Sequence, residues 1–374
     1  MPTKLDYTAR AVRYYAKFPV FTYVSIQINF WIIANVLVAV IIHFHSLIIL
    51  EATGMQVSGG LASTILVAAL FGIIYGVILG LTTYYLDKSF VRKQSLGKVI
   101  LLKAAISLSA LIIILLIMRF VLFDFLIAPT LNISLNHQSW GHLFNLLLIY
   151  YFFMTLLISF INQVNKKYGP GVLVPLLLGK YRKPREEERI FMFMDLKSST
   201  STAEKLGHLT YSAFIRDCFF DINEILLPFH AEVYQYVGDE IVVTWKEREG
   251  LEDFTCIRFF FACKKQFRDR APYYEEHYGF LPEFKVGLHT GKVSAVEIGE
   301  IKRDIAYHGD TLNTAARIQS VCNQFNRSFL ASEYLLVRIG LHQNMKTEAL
   351  GMILLRGKAT SIGIASVDWV ESAL

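Results

Sequence analysis

Charge is what this sequence lacks. Asp, Glu, Lys and Arg make up 18% of its 374 residues, against 54% hydrophobic ones; an average soluble domain carries about 25% charged residues. That deficit excludes an ordinary soluble protein, and the length suits two domains rather than one. The deficit is local: residues 1–165 hold most of the apolar excess, and the remainder has the balance of a globular domain. Cysteine is scarce as well. Cys218, Cys256, Cys263 and Cys322 all fall in the second half, without metal-type spacing, which leaves reduced cytosolic thiols as the expectation. A cleavable signal peptide is not expected either. Residues 1–19 are polar and aromatic, and the apolar stretch after them is long enough to stay in a bilayer.

Two loops lack Lys and Arg altogether, and that absence orients the chain. Four stretches, about 22–47, 62–86, 99–123 and 142–163, have the roughly 20 apolar residues a membrane helix needs. The connecting segments 48–61 and 124–141 contain no Lys or Arg. Lys4, Arg10, Arg13 and Lys17 precede the first stretch, Lys88, Arg92, Lys93 and Lys98 separate the second from the third, and Lys166, Lys167, Lys180, Arg182, Lys183 and Arg185 follow the fourth. The positive-inside rule then predicts both termini in the cytosol. The net charge of +6 is spent on topology, so a nucleic-acid partner is not expected and a lipid bilayer is.

Polar groups in the membrane half are few. His43, His45, Glu51, His137 and His142 gather towards the basic-free side, with Arg119 and Asp124 nearby. They read as interfacial groups hydrating helix ends, with a ligand or metal sensor as the alternative. Lys103 can snorkel from the inner end of the third stretch. Gly72, Gly76 and Gly80 line one face of the second, a groove for close helix approach within one chain or between two. Residues 166–188 form a connector that Gly169, Pro170, Gly171 and Pro175 keep from continuing the fourth helix.

Beyond it, "IFMFMD" is a buried strand ending on Asp195, and "EVYQYVGDEIVVTW" is a hairpin with Asp239 in its turn. Two carboxylates on adjacent strands can hold two divalent cations. "KSSTST", Lys197 to Thr202, is a loop into a helix N-terminus whose N–H groups could cradle phosphates; Lys197, Ser198, Ser199 and Thr200 are the candidates. "EFKVGLHTGKVSAVEIG" reads as strand, turn and strand, and "GDTLNTAARIQSVCNQF" as a helix capped by Asp310. On that helix Asn313 and Arg317 share a face at i and i+4. Arg356 and Lys358, in "LRGK", sit near a turn where a polyphosphate tail could meet them.

Five ordered motifs, "FMFMDLKSST", "YVGDE", "FKVGLHTGKV", "GDTLNTAAR" and "LRGK", resemble the catalytic domain of class III nucleotidyl cyclases over roughly 188–370. The resemblance implies an α/β ferredoxin-like domain (189–374) with helices on one side of its sheet; the four-helix transmembrane domain (1–165) read from the apolar stretches is not part of it. It implies a head-to-tail homodimer with shared active sites and two Mg²⁺ or Mn²⁺ ions per site. Asp195, Asp239 and the Leu196 carbonyl would hold the metals. Asn313 and Arg317 of the second copy would serve the transition state, and Lys358 or Arg356 the triphosphate.

The base-selecting positions depart from the family's usual pairs. Gln235 stands where many adenylate cyclases carry Lys, and Ala306 where they carry Asp or Thr; guanylate cyclases usually have Glu and Cys. An amide can serve either purine. The implied reaction is ATP to cyclic AMP and pyrophosphate, with cyclic GMP synthesis and a silent membrane sensor as alternatives. A diguanylate cyclase is disfavoured by the "NTAAR" helix and by Val237 in place of a glycine. Val296 also stands where the family commonly has glycine.

Overall fold

The computed structural model describes residues 19–53, 60–89, 96–117, 119–120, 137–168, 179–300, 303–340, 342–354 and 361–370. The chain divides into two compact units, Lys17–Pro170 and Gly171–Leu374.

The first unit comprises α1 (Pro19–Thr53), α2 (Leu61–Ser89), α3 (Leu96–Ile117) and α4 (His137–Tyr168). Among the described residues three helices are long and apolar enough to cross a membrane, over Val24–Ile49, Leu61–Tyr85 and Trp140–Asn162; the apolar part of α3 described is shorter, Leu101–Ile117. The bundle is apolar outside and sets a few polar groups into an otherwise apolar centre. Ile33, Leu66, Phe153 and Phe160 are exposed, as lipid-facing residues should be, whereas the buried centre carries hydroxyls and an amide. The Tyr75 hydroxyl donates to the Ser107 carbonyl at 2.7 Å, and Ser107 Oγ meets Thr155 Oγ1 at 3.0 Å. Tyr151 donates to Asn35 Oδ1, whose amide donates to the Trp31 carbonyl at 2.8 Å. Trp31, Tyr75 and Tyr151 pack edge and face around one another, at 4.4 to 5.4 Å. Hydrogen bonds and close packing are what join helices where lipid removes the hydrophobic drive.

The glycine row acts within the chain. A Cβ at Gly72, Gly76 or Gly80 would lie 2.6, 2.5 or 2.7 Å from the Cα of Ile32, Ile28 or Val24 on α1, so only glycine lets the two backbones meet. Among the described residues no group of three or more His, Cys, Asp or Glu gathers as a metal cage; Asp124 of the basic-free side lies outside them.

The second unit is built on an eight-stranded sheet in the order β2-β3-β1-β4-β6-β8-β7, with β5 paired to β4. The strands are β1 (Arg185–Leu196), β2 (Glu232–Val237), β3 (Glu240–Lys246), β4 (Phe284–Ile298), β5 (Asp304–His308), β6 (Phe329–Ser332), β7 (Met345–Ile353) and β8 (Ile362–Trp369). β1 runs antiparallel between β3 and β4. Both of its faces are covered, which is why "IFMFM" is unbroken by polar residues. Ile190, Met192, Met194 and Leu196 enter a core with α6 (His208–Leu226), α8 (Thr255–Asp269) and α9 (Ala271–Tyr278); α5 (Ser199–Leu206) and α7 (Glu247–Leu251) are short helices beside them. Phe191 lies on the other face with Val242, Val293 and Ala315, beneath α10 (Asp310–Ser320). The helices are therefore not confined to one side: α10 crosses the face opposite α6 and α8. The last helix, α11 (Glu333–Ile339), returns to the first core through Leu335.

Two local readings change. β4 is one strand of 15 residues, not two around a turn. Gly291 is there for clearance, since a Cβ would lie 2.6 Å from Thr311 Oγ1, and Val296 sits near the end of the strand opposite Ala306. The N-cap of α10 is Gly309, at φ 153°, and Asp310 is already in the first turn; its carbonyl accepts from Thr314 Oγ1 at 2.9 Å.

Candidate active site

The sheet brings the two aspartates together because β1 and β3 are neighbours. Asp195 lies opposite Glu240 on β3 and opposite Lys285 on β4, so all three side chains share the face that α10 crosses. Asp239 precedes Glu240 in the β2–β3 turn, where Gly238 supplies the positive φ of 63° that other residues resist.

The partners of the two carboxylates differ. Asp195 Oδ2 accepts from Gln319 Nε2 at 3.0 Å and meets Lys285 Nζ at 3.2 Å. Gln319 comes from the last turn of α10, which lies close to the sheet because position 287 is glycine: a Cβ there would be 2.7 Å from the Gln319 Cα. Asp239 Oδ2 is buried with no hydrogen-bond partner. A buried, unpaired carboxylate oxygen is costly, and a cation between Asp239 and Asp195 would satisfy it. Hard divalent ions such as Mg²⁺ suit such oxygen donors. Leu196 has a buried hydrocarbon side chain, so its backbone carbonyl is the one group it could offer a cation.

Negative charge is concentrated here. Burial, followed by the charges of Asp195 and Asp239, pushes the Glu240 carboxyl from 4.5 to about 7. The Tyr211 phenol is pushed up to about 12, by burial first and then by Asp239 and Asp195, although a hydrogen bond with Ser199 opposes the rise. Glu240, Tyr211, Lys285 and Gln319 are the residues that motif reading missed. Glu240 was visible in "VGDE" and Lys285 in "FKVG", one position before the strand interior.

The other candidates are placed as follows. Ser198, at φ 57° and ψ 35°, turns the chain from β1 into α5. The Lys197 amide is taken by the Glu283 carbonyl at 2.8 Å, and its ammonium pairs with Glu283 at 3.0 Å. Ser199 is held by Tyr211, and Thr200 is exposed. α10 buries Thr311, Thr314, Ala315, Ile318 and Gln319 and leaves Asn313 exposed and Arg317 half-buried. These two point away from the face that carries Gln319 to Asp195, and no contact joins them to the carboxylates among the described residues. Gln235 is exposed on β2 and in register with Val242; Ala306 is buried on β5. Arg356 and Lys358 lie outside the described residues.

Comparison with known proteins agrees with this geometry. The family described as "Adenylate and Guanylate cyclase catalytic domain" matches residues 182–364. "Adenylate cyclase 2" of Rhizobium meliloti is 36% identical over 210 residues, covering 56% of this chain and 58% of that protein. "Adenylate cyclase 1" of the same organism is 23% identical over 193 residues, covering 50% of this chain and 28% of that protein. The chain therefore covers less than two thirds of either relative's length. A solved bacterial light-regulated adenylyl cyclase aligns over 57% of this chain and 64% of that one, with a TM-score of 0.49 and 19% identity. The aspartate pair, the sheet and the matched residues lead to one conclusion: residues 182–364 belong to the adenylate and guanylate cyclase catalytic domain family.

Proposed function

We propose that the chain is a membrane-anchored adenylate cyclase that converts ATP to cyclic AMP and pyrophosphate as a homodimer. Residues 1–165 would anchor it in the inner membrane with both termini cytosolic, 166–188 would connect, and 189–374 would carry the chemistry. The observation that bears most weight is the partnerless Asp239 Oδ2 beside Asp195, in a chain of this family. Asp195, Asp239 and the Leu196 carbonyl would hold Mg²⁺ or Mn²⁺. Two such ions, when bound, supply charge neutralisation for the ribose 3′-oxygen and the departing phosphates.

The chain's own residues do the rest. Lys285 and Gln319 fix Asp195 in one rotamer. The loop from Lys197 through Ser198, Ser199 and Thr200 offers hydroxyls and the first N–H groups of α5 to phosphate oxygens. Asn313 and Arg317 face outward, which supports their acting on a nucleotide held by a second copy, where the guanidinium offsets phosphoryl charge. Arg356 or Lys358 would take the terminal phosphates. ATP is favoured over GTP by the 36% identity to an adenylate cyclase and by Gln235, whose amide can pair with adenine.

The test is turnover of ATP and GTP by the purified full chain with Mn²⁺. Cyclic AMP formation that is lost in Asp195→Ala and Asp239→Ala is expected; absence of any cyclic product from either nucleotide overturns the reading. Mixed Asp195→Ala and Arg317→Ala chains should recover activity, because one heterodimer site keeps both intact residues. No recovery would exclude shared sites.

A further inference from the structure

A buried ionic cluster on the same sheet face as Asp195 reaches both base-selecting strands. Arg189, on β1, is 2% exposed. Its Nε lies 2.9 Å from Glu187 Oε2 and its Nη1 lies 2.8 Å from Glu232 Oε2 on β2. Its guanidinium carbon stands 4.6 Å from the ring centre of Tyr307 on β5. Burial works against the charge, but Glu232, then Tyr307 and Glu187, outweigh it and hold the guanidinium above its usual range. A guanidinium suits this position because its planar fork bonds two carboxylates while its face stacks on an aromatic ring.

The cluster continues into a tyrosine pair. Tyr234 and Tyr307 pack with ring centres 5.1 Å apart, and both rest on Phe191. The Tyr307 amide donates to the Tyr234 hydroxyl at 3.3 Å. Tyr234 precedes Gln235, and Tyr307 follows Ala306. One hydrogen bond thus joins the neighbours of the two base-selecting positions. A β-bulge between Val233 and Gln235 makes this possible. In a regular strand Tyr234 and Gln235 would take opposite faces. The bulge inserts Tyr234 as an extra residue that packs against Phe191 and shifts the register, so that Gln235 pairs opposite Val242 on the same face and stays exposed.

We propose that Arg189, together with the Tyr234–Tyr307 pair it supports, positions the base pocket by fixing β2 against β5 and so setting the spacing between Gln235 and Ala306. The proposal rests on the cyclase reading above. It places purine selection in this chain with the frame behind the pocket. Ala306 offers no polar side-chain atom of its own, so discrimination depends on where the strand holds the Gln235 amide and the backbone around Ala306. Arg189 and Tyr234 are positioning residues and touch no substrate.

The experiment compares wild type, Tyr234→Phe, Arg189→Lys and Arg189→Met as full chains with Mn²⁺. The readouts are KM and kcat for ATP and for GTP, with thermal melting alongside. Tyr234→Phe keeps the ring and loses only the hydroxyl, so it should melt close to wild type. Its ATP-to-GTP ratio of kcat/KM should fall about fivefold, the worth of one neutral hydrogen bond, through KM rather than kcat. Arg189→Lys keeps charge but not the fork and should shift the ratio in the same direction; Arg189→Met should shift it further or fail to fold, in which case the first two variants decide. A ratio unchanged in both Tyr234→Phe and Arg189→Lys overturns the proposal, as does an equal loss with both nucleotides tracking a lowered melting temperature. Wild type that turns over both nucleotides while the ratio stays fixed rejects this inference alone. Wild type that makes no cyclic product rejects the cyclase reading and this inference with it.

Discussion

Replacing Glu240 with Gln should stabilise the metal-free protein at pH 8 and leave it unchanged near pH 4. Glu240 stands opposite Asp195 and next to Asp239, and its carboxyl is raised from 4.5 to about 7. The folded state therefore holds this proton more tightly than the unfolded chain does. Below about pH 4.5 both states are protonated and the site costs nothing. Between about 4.5 and 7 the unfolded chain loses its proton first and folding stability falls; above 7 the loss is complete. At roughly 1.4 kcal/mol per tenfold in proton affinity the full effect is ~3 kcal/mol; Glu240 is only half-buried, so solvent screening reduces it to about 1–2 kcal/mol. For a domain of this size that is about 3–6 °C in melting temperature. The assay is calorimetry of the detergent-solubilised chain at pH 4, 6 and 8, following the transition that Mn²⁺ moves. Glu240→Gln should gain most at pH 8, less at pH 6 and nothing at pH 4, and saturating Mn²⁺ should erase the gain by supplying the missing positive charge. A gain of equal size at every pH, or none at pH 8, would refute the argument from clustered carboxylates.

Other substitutions probe the packing that holds the site. Gly287→Ala forces a methyl to 2.7 Å from the Gln319 Cα; it should cost about 1–3 kcal/mol as overpacking does, and turnover should fall further than stability because α10 also carries Asn313 and Arg317. In the bundle, Gly76→Ala should lower the melting temperature of the membrane unit despite the roughly 1 kcal/mol that alanine gains in a helix. Gly141→Ala, with nothing within 4 Å, should leave it level or raise it. All four cysteines are buried, and burial pushes the Cys256 thiol up to about 12. Ellman's reagent should find almost no thiol in the native protein and four after denaturation.

How much of this was legible in the sequence depends on the range of the interaction. Asp195 at the end of a doubly apolar run and Asp239 in a two-residue turn are local signals, and both stand where those signals put them. The β2–β3 hairpin followed from "VGDE" for the same reason. Lys285 stood in a quoted motif, but its meeting with Asp195, like that of Gln319, was not legible, because it needs the strand order and the crossing of α10, neither of which leaves a local mark. Gly291 misled because a glycine between apolar runs signals a turn, whereas here it clears space for Thr311. Glycine marks both, and only the three-dimensional neighbour separates them. The tyrosine pair was hidden by the bulge, since a bulge breaks the alternation from which a strand's facing is read.

The inward polarity of the bundle bears on how the chain is made. Each helix is apolar enough on its outside to enter the bilayer as it emerges, but the central hydroxyls find their partners in sequence order. Tyr75 waits for Ser107 on α3, while Ser107 waits for Thr155, and Asn35 for Tyr151, both on α4. A nascent chain halted before α4 would leave the Asn35 amide oxygen without the Tyr151 hydroxyl, while Ser107 Oγ would keep Tyr75 at 2.8 Å; an unanswered amide oxygen costs energy in a medium without water. Emergence of α4, with 206 residues still to be translated, is thus the step that completes the polar centre of the bundle.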